Sequence, residues 1–178
     1  MWFMHGLQIA ALQASIAVSP SAFRLQVFSQ PSGLAGLLMS GDATTSTEGR
    51  FAAGAVLPAE MLSVFHARGV TRVTQLIWQG NRPVTTRLLP NLGLEREPVP
   101  PRDQVGTVDM LSAMAGLLRQ VTEPGRCEAS QKTFDGRRLS LFNARTVGEE
   151  TLDAAGRSSF RSSSALRLRR AANRRFRA

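Results

Sequence analysis

Residues 19–27 read SPSAFRLQV. Ser19, Pro20 and Ser21 have turn chemistry, and after them Phe23, Leu25 and Val27 alternate with Arg24 and Gln26. A two-residue period sends one set of side chains inward and the other toward water, as in a half-buried strand. The stretch before the turn, residues 7–18, is apolar with small and polar interruptions. The two runs therefore predict an antiparallel hairpin, closed at its far end by Gln30, Pro31, Ser32 and Gly33.

Working outward, strands outnumber helices. GLAGLLM (33–39) is too short and glycine-rich for a helix and is expected as a one-turn plug or a bend. DATTSTEGRF (42–51) is polar and predicts at most a solvent-facing strand. Gly54 and Pro58 are expected to break the chain before a strand-like run at 59–67, which carries Leu62 and Val64. Arg68 and Gly69 form a turn, and residues 70–78 hold Val70, Val73, Leu76, Ile77 and Trp78, a strand composition. After a turn at 79–81 comes a short strand at about 84–89. Residues 90–101 are bracketed by prolines, which predicts an extended linker.

A single helix is predicted, at about 107–121. Thr107 is expected to cap it, with Asp109 in the first turn where the helix dipole favours negative charge. Val108, Leu111, Ala115, Leu118 and Val121 form one apolar stripe, widened by Met114 and Leu117, and Pro124 with Gly125 ends it. Packing against a sheet explains such a stripe. Asp135 and Gly136 lie between extended runs at 128–134 and 137–146, which predicts a hairpin with a type I′ turn. A polar loop at 148–156 and a last strand at 158–168 complete the reading. No βα alternation occurs, so the expected fold is mainly β: a curved antiparallel sheet or open β-barrel with one amphipathic helix. Residues 1–156 form one β-rich domain, and 157–178 a last strand plus a poorly ordered tail.

The 178 residues carry 22 Lys plus Arg against 13 Asp plus Glu, a net charge of +9. Eight arginines fall between 157 and 178, where there is no acid. Without them the body holds 14 basic and 13 acidic residues and is nearly neutral. Such a tail reads first as a solvated terminus, and its phosphate- or membrane-binding alternatives act by counterion release or surface attraction. Nucleic acid is thus not an expected partner except through the tail. No uninterrupted apolar run reaches roughly 18 residues, so no membrane-spanning helix is expected. The start, MWFMHGLQIAALQASIAV, lacks a basic n-region and a cleavage site, so it does not read as a signal peptide.

Chemistry-bearing motifs are absent: there is no G-x-S-x-G elbow, phosphate-binding loop, H-E-x-x-H or G-x-G-x-x-G after a strand. Cys127 is the only cysteine, and His5 and His66 lie far from it in sequence, so no metal site is expected. Glu149 and Glu150 are adjacent loop carboxylates that point apart in the usual case, which suits no acid/base pair. Asp135 beside Arg137 and Arg138 could hold an anion, but a turn and an exposed face account for all three. No catalytic residue and no cofactor is assigned.

The order of short motifs, however, resembles a family. GLQI (6–9), FRLQV (23–27), GLAGLL (33–38), STEGRF (46–51), the Leu57-Pro58 step, GTVDMLS (106–112), GRC (125–127), FDGRR (134–138) and GEETL (148–152) occur in sequence over nearly the whole chain. Together they resemble the bacterial domain-of-unknown-function family number 3108. The resemblance implies a periplasmic, β-rich cell-envelope protein with no established activity. It implies that the signature residues Asp109, Cys127, Asp135, Gly136 and Arg137 are structural. It also implies a second cysteine pairing with the first, at the place where Leu168 stands, and an apolar end where this chain turns to arginine. From this the chain is expected to be truncated or frame-disrupted at its ends. The functional expectation is a non-enzymatic binder of an apolar or amphiphilic small molecule, by fold-level analogy with open-barrel carriers. The alternative is a structural or assembly protein that adds a strand to an envelope partner. A closed or nearly closed sheet with a lined apolar cavity would favour the first, and a filled interior the second.

Overall fold

A computed structural model of the chain describes residues 2–4, 7–33, 41–91, 97–122 and 127–146. Seven strands form one antiparallel sheet in sequence order: β1 (Trp2–Met4), β2 (Leu7–Val18), β3 (Ala22–Pro31), β4 (Gly41–Ala52), β5 (Ala55–Ala67), β6 (Val70–Gln79) and β7 (Arg82–Leu89). The mainly β, antiparallel expectation holds, and the sheet is not closed. Two helices follow, α1 (Pro101–Gln104) and α2 (Met110–Thr122), and then a separate hairpin of β8 (Ala129–Phe134) and β9 (Leu139–Ala144). The plug at 34–39, the paired glutamates, Leu168, the last strand and the arginine tail lie outside the described residues.

The 19–21 turn and its alternation appear as read. Ser19 closes the turn by donating from Oγ to the Ala22 carbonyl, and β2 pairs β3 from Ala10–Pro31 to Val18–Phe23. Phe23 and Leu25 are buried, while Arg24 sits on the opposite face in an ion pair with Glu48.

One row of the register, Leu25–Thr47–Met61–Leu76, crosses four strands on the covered face. Packed against this face are α2, over β3, β4 and β5, and the β8–β9 hairpin, over β6. Leu111 and Ala115 of α2 meet Phe23, Leu25 and Phe51. Phe134 meets Met61, Leu76 and Trp78, and Phe142 meets Val108 and Ala113. These clusters hold the helix and the hairpin onto the sheet.

Several expectations are corrected. Residues 42–51 are not a solvent-facing strand but part of the sheet's interior, with Thr47 and Phe51 buried. Polar composition misled because this strand's inward positions are threonines that hydrogen-bond rather than leucines. Pro58 does not break the chain. It lies inside β5 opposite Gly49, at a bulge where Ala59 is the extra residue, and a bulge is where a missing N–H is tolerated. Gly49 is required there by close approach: a Cβ would lie 2.6 Å from the Phe23 ring and 2.4 Å from the Leu57 carbonyl oxygen. A second helix, not expected from the sequence, is the one-turn α1, which starts at Pro101, the last residue of the proline-bracketed linker, where a proline is already set for a first helical turn.

The predicted helix begins three residues late. Val108 is extended and bridges Thr133 of β8, and Thr107 donates its hydroxyl to the Gln104 carbonyl instead of capping. Only part of the stripe is buried, since Met114, Leu118 and Val121 are exposed. The β8–β9 turn also differs from the type I′ expected. Gly136 alone has positive φ, and the Asp135 carboxylate takes over the turn by accepting from the Arg137 and Arg138 amides.

Candidate functional site

Asp109 stands one residue before α2 and caps it, its Oδ1 accepting from the Ser112 amide at 3.0 Å. The same carboxyl reaches the sheet. Oδ2 accepts from the Thr47 hydroxyl at 3.0 Å and from the Ser112 hydroxyl at 2.5 Å. Thr47 Oγ1 also lies 3.0 Å from Ser112 Oγ and 3.1 Å from the Glu60 carbonyl. Thr47, Asp109 and Ser112 are 2%, 2% and 0% exposed. Burial pushes the Asp109 carboxyl above its ordinary value, against the opposing pull of its bonds from Ser112 and Thr47. No lysine, arginine or histidine ion pair to Asp109 occurs among the described residues.

Beside this knot is a cavity of about 300 Å³ between the covered face, the start of α2 and the β8–β9 turn. Its floor is a row of hydroxyls, Thr45, Ser63 and Thr74, on three neighbouring strands. Thr45 and Ser63 bond to each other at 2.9 Å. Thr74 is 7% exposed, and its hydroxyl has no hydrogen-bond partner among the described residues. Its methyl faces the turn, where a Cβ on Gly136 would lie 2.3 Å from Cγ2, so the positive-φ glycine also makes room for close packing. Met61, Phe65, Met110 and Leu111 supply an apolar lining, and Arg72, Asp109, Asp135 and Arg137 supply charge.

Three signature residues singled out in the sequence thus converge here, and Gly136 packs on a fourth lining residue. Asp135 shapes the hairpin turn. Arg137 ties that turn to the end of β7, donating from Nη2 to the Leu89 carbonyl at 2.7 Å and the Pro90 carbonyl at 3.0 Å. Cys127 is elsewhere, at the open end of the β8–β9 hairpin, where its amide donates to Thr146 Oγ1; its thiol is free. His66 lies 3.3 Å from Asp42 on an exposed part of the sheet. Sequence reading missed Thr45, Thr47, Ser63 and Thr74. The available signal was a run of hydroxyl residues in a strand whose neighbours alternate, but register is needed to put them on the covered face.

A second, open cleft of about 930 Å³ occurs toward the other end of the strands. There β5 continues with β4 but stops pairing with β6 beyond Glu60–Ile77. Ile16, Val18, Phe23, Leu57, Pro58 and Trp78 are among its lining residues, and its Arg24 and Glu48 neutralise each other at 2.6 Å.

No family model, curated protein or solved structure matches this chain. The family resemblance therefore rests on the ordered motifs alone.

Proposed function

We propose that the protein is a non-enzymatic binder of a small amphiphilic molecule in the cell envelope, with the 300 Å³ cavity as its site. The observation that carries this is the lining: a hydroxyl floor on the core side of a sheet, flanked on the same face by Met61 and Phe65, with Met110 and Leu111 of the helix above it. Mixed linings of this kind, an apolar body with a few converging polar groups, suit small ligands, and the volume is at the lower end of the usual range of about 300–1,000 Å³. Two groups of the knot that could perform chemistry are committed elsewhere. Asp109 spends both oxygens inside the knot, and Ser112, its hydroxyl partner, is fully buried and out of a substrate's reach. The envelope location is supported by the family resemblance.

Native mass spectrometry and organic extraction of the purified full chain test this reading. An apolar or amphiphilic molecule should co-purify, and an environment-sensitive hydrophobic dye should bind. Ser63→Leu, which fills the cavity from its floor, should abolish dye binding without altering the fold by circular dichroism. If nothing apolar co-purifies and the dye does not bind wild-type protein, the reading fails.

Among the described residues the strand-addition alternative has two sheet edges, the β1 side, where β2 beyond Ala10 pairs only with β3, and β7, which pairs only with β6. That strand carries Arg82, Pro83 and Arg87. Charges and proline blunt that edge against pairing; residues 11–18 on the other side carry neither, and the cavity reading is preferred for its mixed lining.

A further inference from the structure

The two edges of the sheet differ in chemistry. β7 carries Arg82, Pro83 and Arg87, whereas residues 11–18 of β2, ALQASIAV, hold no charge and no proline. β1 occupies the lane beside β2 only as far as the Trp2–Ala10 pair. Among the described residues, β2 from Ala11 to Val18 therefore pairs with β3 alone. Which backbone groups this leaves open follows from the turn. The Ser19 amide donates to the Ala22 carbonyl, and the Phe51 amide donates to the Ser21 carbonyl. In an antiparallel ladder, bonded and non-bonded pairs alternate residue by residue. Ala11, Gln13, Ser15 and Ala17 thus bond to β3, while Leu12, Ala14, Ile16 and Val18 turn their N–H and C=O groups toward the edge. These four lie opposite Ser29, Val27, Leu25 and Phe23, so their side chains share the face that α2 covers farther along the sheet. The helix packs over β3, β4 and β5, and Leu12, Ile16 and Val18 stay 42%, 56% and 40% exposed.

We infer that this edge pairs with the same edge of a second copy of the chain, antiparallel about a two-fold axis at Ser15, so that two sheets join into one. The edge is self-complementary in register. With the axis perpendicular to the sheet, Leu12 comes opposite Val18 of the second copy and Ala14 opposite its Ile16. Edge-facing N–H and C=O groups then meet along the whole stretch. Aliphatic side chains meet each other on one face, and Ser15 meets Ser15 on the other, where paired hydroxyls are favourable. It is also self-complementary in charge. No like charges meet, because residues 11–18 have none, whereas two β7 edges would each bring arginines to the seam. A charged edge selects a partner of opposite charge; a neutral one that matches itself selects its own copy. Such a two-fold contact is the commonest way for a chain to associate with itself. The pairing is independent of the cavity reading.

Sedimentation velocity of the full-length protein over a wide concentration range tests this, since a single strand pair is a small interface and its dimer should form with concentration. Ala14→Pro removes an N–H that faces the edge and leaves the bonds to β3 in place. By symmetry it deletes two hydrogen bonds, so it should weaken dimerisation about thirty-fold. Ser15→Lys sets two ammonium groups on the axis. It should weaken the dimer several-fold at low salt and less at high salt, and it carries the test if Ala14→Pro proves unstable. With Cys127→Ser to remove the free thiol, Ser15→Cys should cross-link into a dimer when an oxidant is added, because opposed residues at a non-bonded position lie about 4.5 Å apart at Cα. Exchange of the Leu12, Ala14, Ile16 and Val18 amides should slow as concentration rises, while that of Gln13, Ser15 and Ala17 stays as it is. A wild-type protein that is monomeric at every concentration would overturn the inference, and slow exchange at those four amides in the monomer would mean that another segment of the same chain lies on the edge. A dimer that persists in both Ala14→Pro and Ser15→Lys, or that Ser15→Cys does not cross-link, would overturn it as well.

Discussion

Replacing Asp109 with asparagine separates the charge of the buried carboxyl from its shape. Asparagine keeps an acceptor for the Ser112 amide and offers an NH₂ toward the hydroxyls of Thr47 and Ser112, so capping and packing survive. What it removes is titration. Asp109 titrates near its ordinary 3.8 in the unfolded chain, and burial raises that value in the folded one. The folded state therefore holds the proton more tightly. This contribution is fully present below the unfolded value and is lost as pH rises through the folded value. Between the two, stability falls by about 1.4 kcal/mol per pH unit from this group alone. Urea unfolding followed by circular dichroism, from pH 4 to pH 7, should show wild type losing stability relative to Asp109→Asn as pH rises, with no change in the denaturant slope. Asp109→Ala gives the reference for the whole knot. It deletes three hydrogen bonds at about 1 kcal/mol each, one of them the helix cap, for a loss of about 3 kcal/mol at pH 5. Parallel pH profiles for wild type and Asp109→Asn would refute the reasoning. So would a difference that grows in favour of wild type with pH, because it would mean that the folded state prefers the carboxylate.

Gly116→Ala tests packing against propensity: alanine gains about 1 kcal/mol in a helix interior, but its Cβ would sit 2.6 Å from Val56 Cγ2. The single variant should be less stable than wild type in urea, and Val56→Ala should restore the helical gain in the double variant. Gly49→Ala has backbone as well as the Phe23 ring in its way, so it should lower the melting temperature far more than Gly116→Ala. Arg137→Ala removes both bonds to the end of β7 and should cost about 1–3 kcal/mol, with faster amide exchange along Arg82–Leu89 but unchanged protection in β3.

The sheet was legible where side chains alternate by polarity. Phe23, Leu25 and Val27 and the β-branched run of β6 fix their faces without help from the rest of the chain, and turn residues mark where the strands end. The helix was legible from its spacing but not its start. Thr107, Val108 and Asp109 all satisfy local rules for a first turn, and only the bridge from Val108 to Thr133 decides that the chain is still extended there. The site was the least legible part. Thr45, Ser63 and Thr74 come from three strands, and their adjacency depends on register. A threonine on the covered face reads in sequence just like one facing water. The turn at Asp135 lies between these cases: the hairpin was visible, but that its carboxylate would take both following amides, and that Gly136 would press on Thr74, depends on side-chain contacts.

The buried knot has a consequence for how the cavity is built. Apolar contacts between α2 and the sheet are non-directional, so Leu111 and Ala115 alone would tolerate small slides of the helix along β3 and β4. The Asp109 carboxyl does not, because its bonds to Thr47 and Ser112 fix the first turn of the helix over one position of β4. Met110 and Leu111 then stand at a set distance from the hydroxyl floor, and the Val108–Thr133 bridge carries the same register to the β8–β9 turn. In this fold, polar pairing in the core would place the cavity wall while hydrophobic burial stabilises it. A Thr47→Val protein should therefore stay folded, keep its apolar clusters, and lose ligand binding before it loses stability. If binding were to survive Thr47→Val unchanged while Asp109→Ala abolished it, the helix would be positioned by its cap alone.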